Sequence, residues 1–373
     1  MTKNMKKDNL TNSLNSKIKM CSEFINKLNY EKHFFKPALE GTTDAGNKLQ
    51  LGFSCYGLKF FYLSGQWETL SENEKTTWTK TINSFQTDDS KFPQNSYVDK
   101  NYIYNLSKFN FQTYMKELTK SLLNNSGIKS YDSKAVFERK SINAETKQAI
   151  STLFQVGSSN RLKVEPEFDD KNIIHYLNGL DWSQPWASGA QYSSLCVYSS
   201  TQNSYDKQLL KNFSDDLVDK ESGFYFINKP NDKRQLFNGA MKIISGLDWI
   251  DHEIHYPKKI IDFCLNNKPV FEGCDIVDYI YVLNMCTKVV NHKKSDVVKL
   301  LSELSKEMDV LFNDKVGGYS YFKNKSQTHY YGVKITEGLD TPDIHATLLC
   351  TWANIMILET IGQLDENFKT LKP

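Results

Sequence analysis

The chain has 373 residues, enough to bury a large core as one big domain or two ordinary ones. Its 46 basic and 44 acidic residues mix along the whole length, for a net charge of +2, so no basic stripe marks a nucleic-acid partner. The basic start MTKNMKKDNL leads into no apolar run of signal-peptide length, and no stretch reaches the roughly eighteen apolar residues of a transmembrane segment, so a cytoplasmic protein is expected.

Residues 1–10 are polar and expected to fray. Beyond them, apolar residues recur at spacings of three and four, which predicts helices over 11–29, 46–64, 71–86, 107–124, 141–157, 169–180 and 186–200. The pattern continues over 204–220, 233–248, 255–268, 274–291, 294–312 and 342–362. Ser71 with Glu74 has capping-box spacing, Ser141 with Glu145 resembles a start signal, and Thr341-Pro342-Asp343 puts proline and an acid where the last helix should begin. Alternating strand patterns are scarce, so the fold class is all-α.

These helices differ in kind. LGFSCYGLKFFYL, WASGAQYSSLCVY, CDIVDYIYVLNMC and IHATLLCTWANIMIL are apolar nearly all round, whereas 71–86, 204–220 and 294–312 carry charge on one face. Fully apolar helices are buried among others and one-sided helices face water. Alternation of the two predicts an α/α toroid, with an inner helical ring around a central cavity and an outer ring wrapping it. A curved open solenoid of helix pairs is the second reading. No Pro-, Gly- or Ser-rich linker divides residues 11–373, so a single domain is expected.

Two phrases recur. DKESGFYFINK from Asp219 and DKVGGYSYFKNK from Asp314 each follow a helix, with a fainter SFQTDDSKFP from Ser84. GLDW stands at Gly179–Trp182 and again at Gly246–Trp249. Recurrence of this kind points to stacked helical hairpins, each too small to bury its own apolar face. The seven cysteines, Cys21, Cys55, Cys196, Cys264, Cys274, Cys286 and Cys350, form no CxxC pair, which argues against a disulfide framework or a cysteine-rich zinc knuckle.

Inner–outer alternation with glycine–aromatic turns resembles the terpenoid cyclase and protein prenyltransferase β-subunit superfamily, squalene-cyclase-like proteins included. The local match is TPDIHATLLCTWANIMI, Thr341–Ile357, which is similar to the Asp-and-His helix start near the end of prenyltransferase β chains. There the histidine binds zinc, with an upstream Asp-x-Cys supplying two further ligands. The resemblance thus implies zinc as a cofactor and His345 as its ligand, with Cys274 and Asp275 as the upstream pair. Here cysteine and aspartate are adjacent and reversed, and the acid motif DxDD of the class II cyclases is absent.

Asp343 and His345 open a buried helix, and Asp275 and Asp278 open another, so both pairs are candidates for acid–base or ligand chemistry in a cavity. Either aspartate at a helix start is equally explained as a cap. GLDWSQPWASGAQYSS offers Asp181, Trp182 and Trp186, with Trp249 in the second GLDW phrase; indole faces suit a carbocation or a stacked sugar ring. The bland reading of that stretch is a proline-stiffened turn sealed by core tryptophans. His252 and His255, three residues apart, sit in a polar turn, and DDLVD at Asp215–Asp219 matches a magnesium motif of isoprenoid synthases. Aligning the two glycine–aromatic phrases on their DK pairs sets Asp215 and Asp216 opposite Val310 and Leu311, which argues against that motif.

The leading expectation is an enzyme acting on an isoprenoid-type small molecule in the central cavity, with Asp343, His345 and Asp275 catalytic and Asp181, Trp182, Trp186 and Trp249 holding the substrate. The rival is a carbohydrate-active toroid, of glycosidase or lyase type, with paired carboxylates and a glycan substrate. The third reading is a helical-repeat binding protein without chemistry. A wall of aromatic and aliphatic groups would favour the first. Carboxylates accompanied by Asn, Gln and Arg would favour the second.

Overall fold

The computed structural model describes residues 2–31, 33–108, 133–164, 170–269 and 273–373. Fourteen helices are found among them. The first seven are α1 (Thr2–Leu28), α2 (Leu51–Leu63), α3 (Gln66–Thr69), α4 (Glu72–Asn83), α5 (Lys100–Ser107), α6 (Lys134–Gln155) and α7 (Asp170–Asn178). The rest are α8 (Pro185–Gln202), α9 (Lys207–Leu217), α10 (Lys233–Trp249), α11 (Pro257–Asn266), α12 (Gly273–Val289), α13 (Lys294–Glu307) and α14 (Ile344–Thr360). Three two-stranded antiparallel hairpins accompany them: β1 (Asn29–Glu31) with β2 (Phe34–Phe35), β3 (Phe312–Asn313) with β4 (Gly318–Tyr319), and β5 (His329–Tyr330) with β6 (Val333–Lys334). The chain is mostly helical, as its periodicity predicts. Most of the helix expected over 107–124 lies outside the described residues.

Helix starts follow their caps. Ser71 and Glu74 form the reciprocal capping box that their spacing predicts. Ser141 does not start a helix: α6 begins seven residues earlier, capped by the Ser133 hydroxyl, and Ser141 donates to the Phe137 carbonyl inside it. Proline 342 is likewise outside α14, which begins at Ile344 with Asp343 as its cap. Helix α2 borrows its cap. Gln50 makes no side-chain bond there; the backbone N–H groups of Gln50 and Leu51 donate instead to Asp99 Oδ2, at 2.6 and 3.1 Å. Asp99 Oδ1 caps α5 with its other face, which ties two helix starts to one carboxylate.

Six helices pack in succession, α2 on α6, α6 on α8, α8 on α10, α10 on α12 and α12 on α14, and α14 returns to α2. Paired contacts advance together along α2 and α6, α8 and α10, α10 and α12, and α12 and α14, so the members of each of these pairs run in the same direction. Gly189 faces Gly239 and Ser193 meets Ser245 at 3.1 Å, and further along both helices Ser200 donates to the Trp249 carbonyl. Tyr281 packs on Trp352, and Asn284 donates to the Met356 carbonyl and the Thr360 hydroxyl at 3.2 and 3.0 Å. Five further helices lie on the flanks: α1 against α14 and α2, α4 against α2 and α6, α9 against α8, α11 against α12, and α13 against α14. Burial divides the same way. All of α2 except Tyr62 is buried, while α4 buries only Trp78 and Ile82.

The recurrent glycine–aromatic phrase is a real structural repeat, one residue out of the register that its DK pairs suggest. Val218 bridges Tyr225, and Phe312 pairs with Tyr319. Gly223 N–H donates to the Asp219 carbonyl and Gly317 N–H to the Asn313 carbonyl, both at 2.8 Å. Both glycines are left-handed, at φ +83° and +88°, a conformation that glycine adopts without penalty. Asp219 therefore matches Asn313, not Asp314, and Asp215 matches Asp309. The fainter copy closes similarly through a bridge from Gln86 to Tyr97. GLDW is no such repeat: the first copy follows α7 in a turn, and the second ends α10.

Candidate functional site

Charged side chains gather where the first halves of α10 and α12 face each other. Arg234, Asn238 and Lys242 stand four residues apart on α10, one above the next. Arg234 reaches Asp275 Oδ2 at 2.7 Å, Asn238 Nδ2 donates to Asp275 Oδ1 at 2.5 Å, and Lys242 lies 3.8 Å from Asp278. Asp275 is thus held fast on both oxygens. Asp278 is not: it is only 3 % exposed, and its Oδ2 accepts no hydrogen bond. Burial pushes the Asp278 carboxyl up to about 6 despite the attraction of Lys242.

Two further lysines from other helices crowd this place. Lys59 on α2 is buried and donates to the Ser151 hydroxyl of α6 at 3.3 Å. Burial, with Lys242 nearby, lowers its ammonium to about 8. Burial, then Lys59 and Lys242, hold the Lys147 ammonium of α6 well below the ordinary lysine range. Lys59 is buried while Lys147 and Lys242 are partly exposed, so an anion that reached this place would be attracted by all three.

Beside the lysines lies an aromatic stack. The His345 ring lies flat on Tyr56 at 4.6 Å and on Tyr321 at 5.4 Å, and its Nδ1 meets Gln327 Oε1 at 3.1 Å. Burial and the neighbouring Lys242 and Lys59 depress its imidazole to about 3, so it is neutral. The Tyr321 hydroxyl lies 3.0 Å from Cys274 Sγ, and burial raises that thiol to about 11, so it is no thiolate nucleophile at neutral pH. Behind Tyr56, the hydroxyl of Tyr330 donates to Glu145 Oε1 at 3.0 Å. Burial, with Asp99 nearby, lifts Glu145 to about 8 and keeps it protonated.

Of the residues singled out from sequence, Cys274 and His345 both border Tyr321, and Asp275 follows Cys274 in the chain but turns to Arg234 and Asn238. Asp343 is buried directly beneath. Its carboxylate accepts from the N–H groups of Ala346, Tyr321 and Gln327 at 2.8, 2.9 and 3.0 Å, which makes it a clamp for the helix start and the loop before it. The tryptophans lie elsewhere. Trp182 is in the core against Phe213, donating to the Leu177 carbonyl, and Trp249 donates to the Pro373 carbonyl at the far end of α10. Asp181 is exposed and accepts from Ser183, while half-buried Trp186 opens α8. Cys274, Asp275 and His345 do not converge as a ligand set of the kind that the prenyltransferase resemblance implies, since Asp275 turns to Arg234 and Asn238.

Sequence reasoning missed Lys59, Lys147, Lys242, Arg234 and Glu145. A lysine inside the otherwise apolar LGFSCYGLKFFYL was the one available signal, because a fully buried lysine is rare without a role. No helix among the described residues is long and apolar enough to cross a membrane. Comparison with family models, with curated proteins and with solved structures finds no match for this chain.

Proposed function

We propose that the chain is a single-domain α/α toroid and an enzyme acting on an acidic carbohydrate by acid–base chemistry. The architecture is supported by six helices that pack in closed succession, with others on their flanks. A toroid is what the resemblance to the cyclase and prenyltransferase superfamily implies, and it is equally the architecture that the carbohydrate-active reading expects. What carries the functional reading is the convergence of Lys59, Lys147 and Lys242, from three different helices, beside the buried carboxylates Asp275 and Asp278. A carboxylate-bearing sugar matches both halves of that wall: its anion answers the lysines, and its hydroxyls answer Asp278 and Asn238. Asp278, with its pKa near 6 and Oδ2 without a hydrogen bond, is the proton-transfer group. Neutral His345, set by Tyr56 and Gln327, is its partner across the site. Asp275 positions Arg234.

An isoprenyl diphosphate would also satisfy the lysines, but its hydrocarbon tail would leave Asp278 Oδ2 and Asn238 Oδ1 without hydrogen bonds. The test offers the purified protein uronic-acid oligosaccharides, neutral oligosaccharides and an isoprenyl diphosphate. The expected result is binding and turnover of the acidic sugar, with Asp278→Asn lowering turnover by about 100-fold or more and binding little changed. Lys147→Met should weaken binding. Turnover of the isoprenyl diphosphate with no response to any sugar overturns the proposal.

A further inference from the structure

The turn after α10 and the end of α9 build a second constellation on the flank of the molecule. His252 Nε2 and His255 Nε2 both lie 2.7 Å from the same oxygen, Asp215 Oδ1. Among the described residues this is the group of three or more His, Cys, Asp or Glu side chains whose ligand atoms all gather within 4.8 Å. It is assembled from distant parts of the chain. Asp251 at φ +55° and Tyr256 at φ +47° bend the segment back, and the His252 N–H bond to the Leu247 carbonyl at 2.9 Å anchors it under α10. Asp215 comes from the last turns of α9.

An outer contact orients one of the two histidines as metal sites require. The ring nitrogen of His255 that faces away from Asp215 meets the Tyr225 hydroxyl at 3.2 Å, which fixes the ring and leaves Nε2 pointing inward. Tyr225 is 1 % exposed and belongs to the glycine–aromatic repeat, so the orienting group is itself rigid. The other DDLVD acids do not join. Asp219 accepts from Ser222, and Asp216 lines a separate groove with Ile174 and Leu209. The DDxxD magnesium geometry is therefore not formed, and one of its carboxylates serves the histidines instead.

We propose that Asp215, His252 and His255 bind a divalent transition ion of the zinc class, clipping α9 to the α10–α11 turn. Two imidazole nitrogens and one carboxylate oxygen are a recurrent zinc donor set, and the position of Asp215 at the surface leaves a fourth place for water. Tetrahedral bonds of about 2.0–2.1 Å would hold the donor atoms about 3.3 Å apart, so each nitrogen need withdraw from the carboxylate by only about 0.6 Å. A side-chain adjustment suffices.

The experiment titrates chelator-treated, tag-free protein with zinc chloride by calorimetry and repeats the titration with cobalt chloride, following the visible absorption of the bound ion. One ion per chain is expected, with a rise in melting temperature on zinc addition. His252→Ala and His255→Ala should each weaken binding by roughly tenfold or more, and Tyr225→Phe by roughly tenfold through loss of the orienting hydroxyl. Circular dichroism of each variant without metal checks that it is folded. Absence of stoichiometric binding in the intact protein overturns the proposal. So does a folded His252→Ala, His255→Ala double variant that binds zinc like the parent.

Discussion

At the scale of single residues, burial decides what each acid can do. Asp343 reads from sequence as a catalytic acid or a cap, and the three backbone N–H groups around it make it a clamp. Glu145 looked like part of a helix start, yet it is protonated in the interior under Tyr330. Gly52 is what admits that tyrosine, since a Cβ there would fall 2.2 Å from its hydroxyl oxygen. The raised pKa of Glu145 has a signed consequence for stability. The folded state keeps this proton up to about pH 8, whereas the unfolded chain releases it near the ordinary value of 4.5, so the group costs stability as pH rises between them. His345 acts oppositely and lower down: the fold holds it neutral to about 3, so it adds stability as pH climbs from there to 6.5. Between pH 6.5 and 8 the Glu145 contribution therefore stands clear of that of His345. Urea unfolding across this window should show Glu145→Gln gaining on the parent by on the order of 2 kcal/mol. Parallel stability curves for the two proteins would refute the protonated carboxyl.

At the scale of elements, small residues set how closely the buried helices approach. Helices α8 and α10 touch through Gly189, Gly239 and Gly246. A Cβ on Gly239 would stand 2.8 Å from Pro185 Cβ and 3.0 Å from the Pro185 carbonyl carbon, and neither can move without shifting the start of α8. Alanine normally stabilises a helix interior by up to about 1 kcal/mol over glycine. Here the expected outcome is the reverse, a net loss of about 1–2 kcal/mol for Gly239→Ala, read by chemical denaturation. A variant as stable as the parent would mean that the two helices are not in close contact. The repeat phrase carries a related lesson. Its DK pairs align Asp219 with Asp314, but the hydrogen bonds align the left-handed glycines and so Asp219 with Asn313. Lettering follows surface residues that drift freely, while the turn is held by glycine conformation and by a buried tyrosine.

At the scale of the whole molecule, the far ends of the buried helices are tied together by the segment after α14. Lys369 N–H donates to the Leu63 carbonyl at the end of α2. Lys372 exchanges two bonds with Gln155 at the end of α6, and the Pro373 carbonyl receives Trp249 at the end of α10. Deleting residues 364–373 would orphan the buried Trp249 N–H, at about 1–3 kcal/mol, and uncover three helix ends. The expected result is a melting temperature lower by several degrees and faster proteolysis near residues 156–158. An unchanged melt would show that the strap adds nothing. Sequence alone determined that this chain is helical, where most helices run and which are buried, because those properties follow from local spacing of apolar side chains and from caps a few residues away. It could not tell that Lys59, Lys147 and Lys242 come within electrostatic reach of one another, that Asp215 finds two histidines about forty residues on, or that Trp182 and Trp249 belong to separate places. Those pairings depend on which helix faces share an interior, and only tertiary packing brings residues so far apart in the chain within reach of one another.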